Sequence, residues 1–584
     1  VVRSVLEAAA PGGPPAPAET AQTRVARLEA LLGDPTDPGN PLGYGALLEA
    51  DRAAVPFAEG EAVLDDFGLN AEFVPRELGG RLDGIDTLVR VMRPVFRRDV
   101  GLAMGYGMTT YMAASDVWTT GSERQREWLA ALLLGGGRAA IAQHETAHSN
   151  DYVRSQVTAR HAQGGFLLSG GKPMINNLDR AEALVLFCRT DDAPGSRSHS
   201  VLLLDPGALP AEHATVLPRH LAVGLRGCHF AGLEFDDCPV PESALLGPLG
   251  SGIETALRSF QISRTVISAM AVAAVDTSLR TAVDFAYRHP SRMDSARTDA
   301  AVTGAFVNLL LYDSLALAST RALHLLPAET SVYSASLKYL LPRVLTETMY
   351  DLSIVLGAGI YTRDGTLGIF GKHVRDVPVL SLGHAGSAAC QATVIPQLHR
   401  LARRSWFTED AAPAALFRPG ASGTGLPPLR TERLSLACGR DSLSATLLDV
   451  AASVPGRGRV ERALRALAGQ LVEEFRDLRH RVLTLRTEGM AARTSAACFA
   501  LMDRYALLLA AAAVLGVWRH NQDGADPFLA DPSWAAAALH RVARRLGARV
   551  DDLPPECMTR IRHEVHLRYS AQRGYDLYNT PVPG

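Results

Sequence analysis

Residues Gly371–Gln391 read GKHVRDVPVLSLGHAGSAACQ. The stretch joins two helical segments. An Arg375-Asp376 pair, expected to brace the loop beyond it, opens an apolar run, and the run ends in a short Gly/Ala-rich loop centred on His384. An imidazole accepts protons well near pH 7, which makes His384 the first residue to weigh for chemistry.

At 584 residues the chain exceeds one ordinary core, and two to four domains are expected. Hydrophobic residues make up 47% and charged residues 21%, the balance of a soluble globular protein. Basic and acidic residues number 59 and 61, a formal charge of -2, so neither nucleic acid nor an anionic membrane surface is the expected partner. Abundant Ala and Leu with only 6% aromatics favour helix over sheet. The cysteines are scattered without a CxxC pair, which reads as reduced thiols and no metal site. The opening VVRSVLEAAAPGGPPAPAE lacks the basic-then-apolar order of a signal peptide. The longest apolar run, Tyr505–Trp518, falls short of the ~18–20 residues that a span requires and reads as a buried Ala-rich helix. A cytoplasmic protein with no membrane span is expected.

Residues 1–22, rich in Ala, Pro and Gly, read as a loose leader. Residues 23–138 show helical spacing, and within them Ser122 with Gln125 forms a capping box ahead of a helix that three glycines stop. At residue 139 the texture changes. Residues 139–250 hold short β-rich runs between Gly-Gly, Asp-Pro and Gly-Lys-Pro turns. Helical periodicity returns over 251–407, a Pro/Gly-rich linker occupies 408–430, and a further helical region covers 431–584. There Leu464, Leu467, Leu471, Phe475, Leu478, Val482 and Leu485 form one apolar stripe. The fold class is mainly α with a small β domain.

Several stretches resemble signatures of one family in order. FVPRELGG (Phe73–Gly80) is similar to its P-E-x-G-G turn, and TTGSERQREWLAALLLGG to its G-T-E-x-Q-K-x-x-W-L helix. AIAQHETAHSND (Ala140–Asp151) stands where the family has T-E-P-x-x-G-S-D. GGFLLSGGKPMINN (Gly164–Asn177) resembles G-G-x-x-L-x-G-x-K-x-W-I-T-N, and Leu225–Gly247 resembles its R-G-S…F-D-x-V-x-V-P…L-L-G run. Together with Gly371–Gln391 they mark a resemblance, over roughly residues 45–405, to the acyl-CoA dehydrogenase and acyl-CoA oxidase superfamily. That implies a helical domain, a β-barrel-like domain and a four-helix-bundle domain. The C-terminal region resembles the extra helical domain of very-long-chain dehydrogenases and oxidases by size and helicity.

The resemblance implies FAD, an acyl thioester substrate and a base on the face of the acyl chain opposite the flavin. Flavin contacts are expected from Gln143, His144, Ser149, Asn150, Met174 and Asn176, where His144 and Asn150 replace Thr and Ser, and Met174 and Asn176 replace Trp and Thr. Phosphate charge is expected from Arg288, His289 and Arg292, and a bend at Gly357. Arg264, Phe260 and Ser263 fall on substrate positions, and Gln261 replaces an aspartate that contacts the adenine end of CoA. Delivery on an acyl carrier protein, as in specialised metabolism, fits that change. Members place the catalytic glutamate in the signature loop or one helix earlier; here those positions are His384 and Ser263.

The site admits four readings. His384 serves as base in a dehydrogenase-like flavoenzyme, with His144 approaching the same cavity. Alternatively His384 and His144 run a flavin-independent proton transfer, addition or elimination, or His384 serves a flavin monooxygenase. In the fourth, the chain is a catalytically silent partner subunit. A homodimer or homotetramer is implied by the family.

Overall fold

The computed structural model describes residues 19–148, 151–193, 195–289, 291, 295–383, 386–419, 425–485, 495–524 and 526–584. Helices α1 (Ala21–Leu32), α2 (Tyr44–Ala53), α3 (Ala58–Phe67) and α4 (Ile85–Arg98) form the first helical layer. The first of these begins inside the residues read as a leader, because the Thr20 hydroxyl accepts the Thr23 amide at 3.1 Å and caps it. A π-helical stretch, Ala103–Met108, then leads into α5 (Thr109–Thr120). The capping box of α6 (Glu123–Leu134) is formed: Gln125 N donates to Ser122 Oγ at 3.3 Å and Ser122 N to Gln125 Oε1 at 2.9 Å.

The sheet holds β1 (Ala139–Ala142), β2 (Thr158–Ala162), β3 (Gly165–Asn176), β4 (Ala183–Arg189), β5 (His199–Leu204), β6 (Ala214–His220), β7 (Phe230–Pro241) and β8 (Leu245–Leu246). Its order is β6-β7-β3-β2-β4-β5-β8, with β1 parallel to β4. Strands β4 and β5 are apolar on both faces for a reason that period-two geometry makes plain. Leu184, Leu186, Leu202 and Leu204 enter the core of the sheet domain, while Val185, Phe187, Val201 and Leu203 face α5, α6 and the long helix beyond the sheet. The β domain is thereby held between helical layers.

The bundle comprises α7 (Gly252–Arg288), α8 (Ala296–Leu325), α9 (Thr330–Leu356), α10 (Gly365–Asp376), the short α11 (Val379–Leu382) and α12 (Ser387–Arg404). Beyond it lie α13 (Ser442–Ser453), α14 (Arg459–Thr484), α15 (Ala496–His520), α16 (Pro532–Arg545) and α17 (Pro555–Ser570). One apolar cluster runs from Val25 to Leu577 and joins all three helical regions. The stripe from Leu464 to Val482 is buried in it, and Leu485 packs against it just past the helix end. The Pro/Gly-rich stretch is pinned to the same core through buried Leu416 and Phe417. Gly516 of α15 is what admits Phe417, since a Cβ there would lie 2.4 Å from its ring.

Helices α7, α8 and α15 are each long and apolar enough, by length and composition, to cross a membrane. Counting uninterrupted apolar residues missed them because Ser, Thr and a few charges punctuate the runs. In the folded chain 94%, 89% and 78% of their apolar windows are buried inside the protein.

Candidate functional site

The signature stretch begins in α10, whose last turns are tied down by charge. The Lys372 ammonium donates to Asp376 at 2.6 Å and also to Asp99, all three side chains being buried. Asp376 also accepts the Leu225 amide at 2.6 Å. Burial works against an ionised Asp99, but Lys372 holds its carboxyl below the usual range. Arg375 turns elsewhere, donating to Asp51 at 2.7 Å and to the Val223 carbonyl at 3.1 Å. Arg375 and Asp376 therefore do not pair with one another; each fastens α10 to a different part of the chain. His384 lies outside the described residues, and α12 resumes at Ser387.

Helix α7 carries Phe260, Ser263 and Arg264, all buried. The Arg264 guanidinium stands 5.0 Å over the Phe260 ring, and Nη1 donates to Thr393 Oγ1 of α12 at 3.3 Å. Its Nε and Nη2 have no hydrogen-bond partner among the described residues. Ser263 Oγ donates to the Ser259 carbonyl at 3.1 Å. Sequence reasoning missed Lys338 of α9, which is fully buried with an ammonium unpartnered among the described residues. Burial pushes its pKa down to about 8, the Cys390 thiol partly opposing and Arg264 adding to the shift. It also missed Asp116 of α5, whose carboxyl is 1% exposed and lies against the Ser259 hydroxyl of α7. A lone Lys in SASLKYLL and a lone Asp in YMAASDVW were the available signals.

On the β-domain side, Glu145 accepts from Lys172 Nζ at 2.9 Å, Ser155 Oγ at 2.6 Å and the Gln156 and Val157 amides at 2.8 and 3.2 Å. Burial opposes the charge, but Lys172 and these donors keep the Glu145 carboxyl below its ordinary range. Lys172 also reaches the Gln143 carbonyl at 3.3 Å, which fixes the end of β1 against β3. Gln143 is buried, and its Oε1 has no partner among the described residues. Asn176 donates to Thr109 Oγ1 at 2.7 Å and leaves a buried Oδ1 likewise unpartnered. His144 is half-buried and Met174 is 50% exposed at this edge. Two orphaned acceptors beside an exposed thioether fit a flat ligand that offers N–H groups, as a flavin ring does. Ser149 and Asn150 lie outside the described residues.

The expected phosphate residues are at the far end of α7. Arg288 is exposed and paired with Asp284 at 3.1 Å, and His289 bonds the Phe285 carbonyl at 2.8 Å and stacks on that ring at 4.2 Å. The neighbouring Tyr287 bonds His566 at 2.8 Å and stacks on Tyr569, so this end docks on α17 of the same chain. Arg292 lies outside the described residues. Gly357 ends α9 at φ 55°, a bend that favours glycine.

Residues 250–397, which hold α7 to α12, match the family described as "Acyl-CoA dehydrogenase, C-terminal domain". Over this region the chain is similar to the acyl-CoA dehydrogenase superfamily. It is 30% identical over 224 residues to the human short-chain specific acyl-CoA dehydrogenase, a match covering 38% of this chain and 53% of that protein. The chain spans about half the length of the curated relatives it matches. An acyl-CoA dehydrogenase complexed with FAD from Bacillus anthracis shares the fold at a TM-score of 0.66 and 14% identity, over 95% of both chains. That match extends through the C-terminal helices. The prolyl acyl carrier protein oxidase AnaB superposes at a TM-score of 0.56 and 16% identity, over 64% of this chain and 98% of its own.

Proposed function

We propose that this chain is a flavin-dependent oxidoreductase that desaturates an acyl thioester presented on an acyl carrier protein. The observation that carries the reading is the pair of unpartnered, buried acceptors Gln143 Oε1 and Asn176 Oδ1 at the turn where superfamily members hold their flavin. FAD, when bound, supplies a hydride acceptor; the chain's own residues orient the thioester and handle its proton. Arg264, fixed by Phe260 and Thr393, keeps two N–H-bearing nitrogens, unpartnered among the described residues, for a carbonyl or phosphate oxygen. Gln261 supports delivery on a carrier: it is buried, donates to the Ser435 carbonyl at 3.0 Å and accepts from Thr330 at 2.6 Å. The C-terminal region thus covers the position at which relatives contact the adenine end of CoA.

Removing the proton beside the carbonyl requires a base, and His384 and His144 are the imidazoles the resemblance assigns to this site. A cytoplasmic homodimer is part of the proposal. Leu221, Val223 and Tyr361, more than four-fifths exposed, rim a cavity of about 620 Å³ that Arg52, Arg226 and Arg363 also line, and exposed apolar side chains at such a rim support self-association. Sedimentation checks that point, a dimer being expected and a monomer contradicting it. The reaction is tested by mixing the FAD-loaded protein anaerobically with prolyl- and isovaleryl-loaded carrier protein. Bleaching of the flavin absorbance is expected, faster than with the matching CoA esters. Equal or faster bleaching by the CoA esters would remove the carrier from the proposal.

A further inference from the structure

Helix α12 runs from the candidate site to the surface, and its far half changes character. Residues 387–408 contain no Asp or Glu, and Arg400, Arg403 and Arg404 stand exposed with no carboxylate partner among the described residues. The segment 425–441 lies alongside. Its Ser435 carbonyl accepts from Gln261 of α7 at 3.0 Å, and its Cys438 amide donates to Gln397 of α12 at 2.5 Å. A Cβ on Gly439 would lie 3.1 Å from the Arg400 guanidinium, so the segment passes against that arginine. Toward its other end, Arg258 of α7 donates to the Thr431 and Glu432 carbonyls at 3.3 and 2.8 Å. Arg430 and Arg433 of the segment are exposed and likewise without a carboxylate partner among the described residues. Between the arginines, Leu436 is 37% exposed. Cations gain from the last turn of a helix, which accounts for Arg403 and Arg404. It does not account for Arg430 and Arg433, which stand outside any α-helix. A chain with a formal charge of only -2 thus gathers five unpaired cations on one strip, and such a strip attracts an acidic surface.

We infer that this strip is where an acidic carrier protein docks, the arginines facing its carboxylates and Leu436 supplying an apolar contact. The inference rests on the proposed reading that the acyl thioester arrives on a carrier. Thr393, which Arg264 holds in the candidate site, lies on the same helix. At 1.5 Å per residue, Arg400 is about 10 Å and Arg404 about 16 Å further along α12. A flexible prosthetic arm anchored over the strip therefore has a short path along α12 to Arg264. Nucleic acid also answers to positive charge. Here, however, Leu436 and Ala437 are the exposed apolar groups between the arginines, which suits a helical protein surface better than stacked bases.

The test titrates the full chain into the holo form of the carrier protein, labelled with fluorescein, and reads the anisotropy. Saturable binding is expected, weakened about tenfold by adding about 0.3 M salt. Arg400→Glu combined with Arg404→Glu should weaken it about tenfold or more, and Leu436→Asp by a similar factor. Arg124→Glu combined with Arg160→Glu, at exposed arginines elsewhere, should change it less than about twofold. Circular dichroism of each variant checks that the fold is kept. Unchanged affinity in the Arg400/Arg404 variant, an equal loss in the control pair, or no saturable binding by wild type overturns the inference. Displacement of the carrier by duplex DNA of equal charge at the same concentration overturns it too. Flavin bleaching by acyl-pantetheine without carrier binding keeps the oxidoreductase and removes the strip. Carrier binding without any bleaching keeps the strip and sinks the proposed reaction.

Discussion

Two buried polar clusters flank the candidate site and differ in how completely they are satisfied. In the β domain, Glu145 and Lys172 share their charge with Ser155, two amides and the Gln143 carbonyl. Around α7, Arg264 keeps two unpartnered nitrogens, and Lys338 of α9 is buried without a hydrogen-bond partner among the described residues. Desolvated charge is costly unless paired. The first cluster pairs it and stiffens a scaffold. The second leaves it unpaired in the region proposed for the reaction, and stability is commonly given up for activity at such sites. The Asp99–Lys372–Asp376 group belongs with the first kind.

The contrast can be broken by substitution. Lys372→Met should be the most damaging change, costing ~3–5 kcal/mol because two carboxylates are left buried without their cation. A lowered denaturation midpoint checks it; an unchanged midpoint would remove α10's brace from the scaffold. Lys338→Met should move the other way and stabilise by ~3 kcal/mol at pH 7, the equivalent of its displaced pKa. The sign comes from proton binding: the folded pKa of about 8 lies below the unfolded value, so wild-type stability should rise between pH 8 and about 10.4. Denaturant midpoints across that range should show the rise in wild type and not in the variant.

Glu145→Gln should cost ~2 kcal/mol at neutral pH, since it weakens a charge-assisted network. The folded Glu145 carboxyl is depressed, so its contribution is present above the unfolded value and lost as pH falls through the folded one. Acid titration of stability should therefore be shallower in the variant. The smallest effect is expected at the surface. Ser122→Ala removes the capping box of α6 and should cost ~1 kcal/mol, seen as faster amide exchange in its first turn.

The scaffold half of this comparison was largely legible in the sequence. The capping box at Ser122, the apolar stripe from Leu464 and the β-rich runs that became β4 and β5 are periodic or local signals, and they survive tertiary packing. The run of ordered motifs supplied the superfamily. The site half was less legible, because its groups meet only across helices. Asp116 is more than a hundred residues from Ser259, and Lys338 reads in SASLKYLL as any helical lysine. The Arg375-Asp376 dipeptide suggested a pair, yet the two side chains diverge to Asp51 and Lys372. Adjacent residues on a helix point about 100° apart, so sequence neighbours there are poor partners. Membrane-length helices were missed for a different reason: packing partners, not uninterrupted hydrophobicity, decide where an apolar helix is buried.

The central claim is that the divergent residues still surround a flavin. Equilibrium dialysis of the full chain against FAD, with the visible spectrum of the retained protein then recorded, tests it most directly. Saturable uptake with a shifted flavin band in wild type, weakened in a Gln143→Ala/Asn176→Ala double variant, is the predicted result. A wild-type protein that retains no FAD above the level in the bathing buffer would contradict the claim.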